Sequence, residues 1–245
     1  MADRSRLRPL SPRGLPRRGR GFWFGLAIDV LWPLLTLATR LRVGGTRHVP
    51  RTGGALIASN HLSNADPITV TAFCLVAGRV PRFLAKAVLW RVPVVRAVMR
   101  SGRHIPVHRG RASALDSYRD VVAAVREGDC VVVFPEGTFS DRADEWPMQG
   151  KTGLARIALT TGAPVVPVAN WGTHHVLPDG ARWPRLRPRR RVELLAGPPV
   201  DLSDLAGPKP SASQLREATT RIMTAITVLL AEVRGESPPP EQVKA

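Results

Sequence analysis

The sequence is poor in cysteine, in aromatic residues and in acidic charge. Only two cysteines occur in 245 residues, Cys74 and Cys130, each in an apolar context and neither in a CxxC spacing nor near a histidine cluster. That pattern excludes a disulfide scaffold and a thiolate zinc site and fits a reducing compartment, so no metal or cofactor is expected. Aromatic residues make up 5%, with a single tyrosine, and no nucleic-acid recognition motif accompanies the basic charge. A GxSxG nucleophile elbow is absent, which argues against a serine hydrolase of that kind. The fragment MQGKTG has Glu145 where a phosphate-binding GxxxxGKT loop requires glycine, so a nucleotide P-loop is excluded. An uninterrupted apolar span is missing too: the longest candidate, residues 22–39, carries Asp29 and Pro33.

What is present in excess is arginine. Lys+Arg 36 against Asp+Glu 19 gives a net charge of +17, which calls for an anionic partner: nucleic acid, acidic lipid headgroups or a phosphorylated substrate. The first twenty residues mix arginines with prolines and glycines and are expected to be a disordered basic tail, 1–20. As a helix, residues 22–39 would reach about 27 Å against a hydrocarbon core of roughly 30 Å. A carboxylate near its middle costs about 2.5–3.5 kcal/mol on insertion scales. A helix lying in the interface of an anionic membrane, over residues 21–42, is therefore expected in place of a full crossing. An ordinary helix docked on the domain is the competing expectation. No A-x-A site follows to support a cleaved signal peptide.

From residue 43 to 234 short apolar runs alternate with helical periodicity. ALIAS (55–59), RFLAK (82–86), HIPV (104–107), VVVF (131–134), PVVPVA (164–169) and VELLAG (192–197) read as strands. Helices are expected over 113–128, with Leu115, Tyr118, Val122 and Val125 on one face and Gly128 as the stop, and over the segment ending at Gly162. Ser211 with Gln214 forms a capping box ahead of a stripe from Leu215 to Val233. Strands that are continuously apolar predict an α/β domain whose mixed, largely parallel sheet is covered by helices on both faces. Residues 235–245 read as a disordered tail, and ARWPRLRPRRR (181–191) as a basic loop.

Polar clusters follow directly after several strands: Asn60-His61 through Asp66, His108-Arg109, Glu136-Gly137-Thr138 and Asn170. Ligands of open α/β sheets bind at the carboxyl ends of strands, so these loops could share one site. In SNHLSNADP an imidazole can take a proton from a hydroxyl, and a carboxylate on its other nitrogen fixes the tautomer. Asp66-Pro67 also reads as an N-cap followed by an N1 proline.

NHLSNADP, IPVHR, FPEGT and VVPVA, in this order, resemble the four motifs of the lysophosphatidic acid acyltransferase family, the 1-acylglycerol-3-phosphate O-acyltransferases, over about residues 44–200. The resemblance implies the glycerolipid acyltransferase fold and transfer of an acyl group from acyl-CoA or acyl carrier protein to a lysophospholipid acceptor. It implies His61 as general base and Asp66 as the residue that orients it. Arg109 would contact the acceptor's phosphate, Glu136, Gly137 and Thr138 would help bind the glycerol phosphate portion, and Pro167 would shape the fourth loop and the acyl site. Lys151 matches a basic position often found after the third motif. Two departures stand out: Phe139 occupies the place of the arginine of EGTR, and Gly102 lies seven residues before Arg109 where six is usual. Both bear on the acceptor, which could be another lysophospholipid, glycerol 3-phosphate or a glycolipid.

Overall fold

The structure, a computed structural model, describes residues 7–9, 19–107, 111–181, 183–205, 207 and 209–239, of which 111–114 as backbone only. Eight strands among the described residues form one sheet: β1 (Arg8–Pro9), β2 (Thr39–Gly44), β3 (Ala55–Ser59), β4 (Pro81–Lys86), β5 (Ile105–Val107), β6 (Cys130–Val133), β7 (Val165–Trp171) and β8 (Arg190–Ala196). Their order across the sheet is β1-β2-β8-β7-β3-β6-β4-β5. The block from β7 to β5 is parallel, β8 runs antiparallel to β7 and parallel to β2, and β1 pairs antiparallel with β2. This is the mixed, largely parallel sheet expected from the sequence.

Burial explains the continuous apolar runs. Ala55, Leu56, Ile57 and Ala58 of β3 are all fully buried, because each face of the sheet is covered. Ile57, Val132 and Val166 pack under α2 (Asp66–Val76) through Val70 and Phe73. Their neighbours Leu56, Val131 and Val165 face the other way. There they meet Val121 of α4 (Arg111–Arg126), Leu154 of α5 (Gly153–Thr161) and Ile222 of α7 (Ala212–Arg234). The two-residue period of the strand distributes one apolar run between two layers.

The helix stops behave as read: Gly162 and Gly235 cap α5 and α7 in the left-handed region at φ 68° and 72°, where a side chain would be strained. At Ser211 both halves of the capping box form. In α4 the buried stripe is Val121, Val122 and Val125, while Leu115 is 61% exposed and is not a core residue. The C-terminal expectation is described only to Pro239, where Arg234 pairs with Glu236 at 2.5 Å.

The N-terminal expectations need correction. Apolar residues 22–38 form α1 (Phe22–Ala38), but Thr39 to Gly44 leave the helix and become β2. Arg40 and Arg42 are therefore the exposed alternate positions of a strand, with Leu41 and Val43 buried in alternation with them, and are not part of the helix expected to run to residue 42. Alternation of one charge with one apolar residue is the period of a half-covered strand, and the arginines masked it. Within the segment expected to be a disordered tail, Leu7 is buried and Arg8–Pro9 pair with β2. α1 docks on the domain through Phe24, Ile28, Leu35 and Ala38. Its opposite side leaves Phe22, Trp23, Leu26, Val30, Leu34 and Leu37 exposed. Among the described residues, no helix is long and apolar enough to cross a membrane. Two shorter helices complete the fold, α3 (Pro93–Ser101) and α6 (Thr173–Val176).

Candidate active site

β3 ends at Ser59 and the chain turns over the edge of the sheet. Asn60 fixes that turn by bonding a neighbouring strand: its Nδ2 donates to the carbonyl of Asn170 at 2.9 Å, and its Oδ1 accepts from the Asn170 N–H at 2.8 Å. His61 follows. Its Nδ1 lies 2.7 Å from Asp66 Oδ2, and the same oxygen accepts the backbone N–H groups of Leu62 at 2.6 Å and Ser63 at 2.8 Å. Asp66 is fully buried. A carboxylate held by two amides and placed at the first turn of α2 stays where an imidazole can use it. The helix N-cap is Ala65, with no side-chain cap. Asp66 thus organises the loop before the helix and is not its N-cap residue, a correction to the capping expectation; Pro67 keeps its place in the first turn.

With Nδ1 committed to Asp66, Nε2 is the nitrogen left for chemistry. The ring is walled by two phenylalanines. Phe134 stacks on it at 4.0 Å between centroids with 14° between planes, and Phe139 meets it edge-on at 4.4 Å. The backbone carbonyl of His61 accepts from Ser140 N at 2.8 Å. Phe139, the departure from the usual arginine, therefore supplies a wall for the imidazole in place of a cation.

Glu136 is 2% exposed. Its Oε1 accepts the His61 N–H at 3.0 Å and its Oε2 the Met148 N–H at 2.8 Å. Burial pushes its pKa up to about 7, against the downward pull of those two amides. Both oxygens are spent on the protein's own backbone, so Glu136 ties the loop after β6 to the loop after β3. Gly137 adopts φ 72°, and a Cβ there would sit 2.7 Å from Lys151 Nζ. Glycine is required by the conformation, whereas the end of the lysine side chain could swing aside. Thr138 and Lys151 are exposed beside it, and Lys151 N donates to Pro135 O at 2.8 Å.

Pro167 stands apart. It is buried within β7, opposite Ala58, and is neither in a loop nor in the wall of the cavity beside His61. A proline is tolerated in this inner strand because its carbonyl accepts from Gly197 N on the β8 side at 3.0 Å, so its missing N–H faces that side too, where β8 has just ended. Its position within β7 corrects the expectation that it belongs to a loop. Arg109, expected to contact a phosphate, and His108 lie outside the described residues.

An apolar cavity of about 560 Å³ opens beside His61. It runs between α1, α2, α3 and β4 past side chains such as Leu31, Leu35, Ile68, Leu75, Leu84 and Val98. His104 also lines it. Burial holds its pKa down at about 4, and its Nδ1 accepts the Phe83 N–H at 3.1 Å, so the ring is neutral at physiological pH. The sequence signals for this cavity were weak, since one side of its wall, from Phe24 to Leu35, comes from α1, which reads as a segment external to the domain. Phe134 and Ser140 were missed as parts of the site; only their places at the end of an apolar run and directly after the third motif marked them.

A histidine oriented by a buried carboxylate, set at the mouth of an apolar cavity on the carboxyl edge of an α/β sheet, defines a protein that can activate a hydroxyl beside a long hydrophobic group. The acyltransferase family model matches residues 40–171, and the chain belongs to that family. It is 30% identical over 158 residues to a chloroplastic 1-acyl-sn-glycerol-3-phosphate acyltransferase of Brassica napus, covering 63% of this chain and 44% of that one. It is 29% identical over 137 residues to a 1-acyl-sn-glycerol-3-phosphate acyltransferase of Borreliella burgdorferi, covering 56% and 53%. The chain thus spans about half the length of these curated relatives. The crystal structure of the 1-acyl-sn-glycerophosphate acyltransferase of Thermotoga maritima superposes with a TM-score of 0.63 at 25% identity, over 87% of this chain and 84% of that one. These relatives bear out the family resemblance carried by the four motifs.

Proposed function

We propose that the protein is an O-acyltransferase that moves a fatty acyl group from a thioester donor, acyl-CoA or acyl carrier protein, to the free hydroxyl of 1-acylglycerol 3-phosphate, giving phosphatidic acid. The observation that carries this reading is the 2.7 Å contact from His61 Nδ1 to Asp66 at the mouth of the apolar cavity.

In this mechanism Nε2 of His61 accepts the proton of the acceptor hydroxyl as its oxygen attacks the thioester carbonyl. Asp66 stabilises the imidazolium that forms and holds the ring in the tautomer that leaves Nε2 unprotonated beforehand. The tetrahedral intermediate collapses by breaking the carbon–sulfur bond, and the proton on Nε2 leaves with the thiolate. No acyl-enzyme is formed. The acyl chain occupies the cavity bounded by α1 and α2, where it exchanges water for apolar walls at about 25 cal/mol per Å² buried.

Phe139 favours a second reading of the acceptor. It places a ring against His61 where the family pattern has a guanidinium, and so removes one phosphate partner. An acceptor screen read by mass spectrometry, with purified protein and oleoyl-CoA, separates the two. Product from lysophosphatidic acid alone supports the main reading; strong preference for glycerol 3-phosphate, another lysophospholipid or a glycolipid replaces it.

Both substrates are amphipathic, which gives the exposed apolar side of α1 a purpose. We infer that this side lies in the interface of an anionic membrane, on the cytoplasmic face of the cell membrane, with neighbouring arginines drawn to lipid headgroups.

A further inference from the structure

A second pocket, of about 360 Å³, opens at the carboxyl end of β7. β7 lies between β3, which carries the His61 loop, and β8. The pocket is therefore about two strand spacings from the catalytic loop, roughly 10 Å across the sheet. Trp171 and Glu193 line it together with four arginines, Arg189, Arg190, Arg191 and Arg234. One carboxylate faces four guanidinium groups, and the fold holds them there.

Three of the four are already engaged. Arg234 sits over the rings of Trp146 and Trp171, 4.3 and 4.4 Å from their centroids, and pairs with Glu236. Arg189 donates to the carbonyls of Thr36 and Thr39 at 2.7 and 2.8 Å, closing the C-terminal end of α1. Arg191 pairs with the buried Glu193 at 2.6 Å while its side chain remains 40% exposed. Among the described residues the side chain of Arg190 has no hydrogen bond or ion pair, and its Nε is buried without a partner. A buried donor left unsatisfied beside surplus positive charge is costly unless an anion completes it. The planar fork of a guanidinium matches phosphate oxygens in pairs. Just upstream, the loop leading into β8 exposes Trp183 and Leu186 at 82% and 45%.

We propose that this pocket binds the phosphate group of an amphipathic or nucleotide phosphate ester, with Arg190 as the fork and Arg191 as the second cation. The proposal is independent of His61 and of the acyl-transfer reading. The phosphate has two chemical sources, an anionic lipid headgroup and the nucleotide end of a soluble thioester donor, and two probes separate them. Titration calorimetry with 3′,5′-adenosine diphosphate reads the nucleotide source. Co-sedimentation with phosphatidylcholine vesicles, with and without phosphatidylglycerol, reads the lipid source.

Arg190→Gln removes a side chain that holds nothing else in place, whereas Arg191→Ala would strand Glu193 and is avoided. Arg119→Gln, on the exposed surface of α4 with its side chain 79% exposed, makes the same charge change elsewhere. Arg190→Gln should weaken binding of whichever probe the wild type takes by about fivefold or more, the worth of one arginine near a phosphate surface. Arg119→Gln should change it less than about twofold, and His61→Ala should bind as wild type does. Equal behaviour of Arg190→Gln and Arg119→Gln, or a wild type that binds neither probe, overturns the proposal.

Discussion

Asp66 Oδ2 serves three donors at once, the His61 ring and two backbone amides, so the position of the imidazole is fixed by the same atom that sets its tautomer. This pair was legible in SNHLSNADP, because a loop of four intervening residues can fold back on itself. The role of Glu136 was not legible. Its two bonds go to His61 N and Met148 N, partners that meet only once β3 and β6 lie side by side. Its folded pKa of about 7 lies above its ordinary 4.5, so the folded chain holds that proton more tightly than the unfolded chain. The stability this contributes is complete below about pH 4.5 and is lost as pH rises through 7. In urea unfolding the stability of wild type relative to Glu136→Gln should fall with rising pH, by on the order of 3 kcal/mol. A difference that stays flat across that window would remove the burial account of Glu136. Phe139→Arg restores the guanidinium of the family pattern at the cost of a ring beside His61. The ratio of kcat/KM for lysophosphatidic acid over a glycolipid acceptor should rise about tenfold, as expected for one charge-assisted contact; an unchanged ratio would dissociate position 139 from acceptor choice.

Six strands were readable as apolar runs, and the buried cores of α4, α5 and α7 followed from their periods and stops. β2 was not readable, since its arginines looked like the flank of a membrane helix, and β1 is two residues long. α1 was seen as a helix, with docking on the domain as the competing expectation, but the docked side was not readable, because an evenly apolar segment does not reveal which side meets the domain. That side is Phe24, Ile28, Leu35 and Ala38. Trp23→Asp combined with Leu26→Asp alters only exposed positions, so the melting temperature should stay near wild type. Flotation with anionic vesicles should fall more than tenfold, since each apolar side chain adds about 1.5–3 kcal/mol when buried. Undiminished flotation would rule out α1 as the membrane contact. At the other end of the chain, Ser211→Ala removes the hydroxyl that accepts the Gln214 N–H while leaving the backbone N–H that donates to Gln214 Oε1, and should cost about 1 kcal/mol in thermal unfolding. A cost near zero would mean that packing of Ile222, Ile226 and Leu230 alone holds the helix.

Over the whole molecule, helices cover both faces of the sheet and leave its carboxyl edge to the loops. The His61 loop, the Glu136 loop and the cavity under α1 converge there, and the second pocket opens along the same edge. The surplus of arginine read from the composition is consistent with two anionic substrates and an anionic surface, although composition could not place it. The central claim is that His61, oriented by Asp66, removes the proton of a lipid hydroxyl. Acyl transfer from oleoyl-CoA to lysophosphatidic acid, followed by mass spectrometry under single-turnover conditions, tests it most directly. His61→Ala should lower the rate about 10²- to 10⁴-fold with the fold intact, and wild-type transfer by that variant would contradict the account.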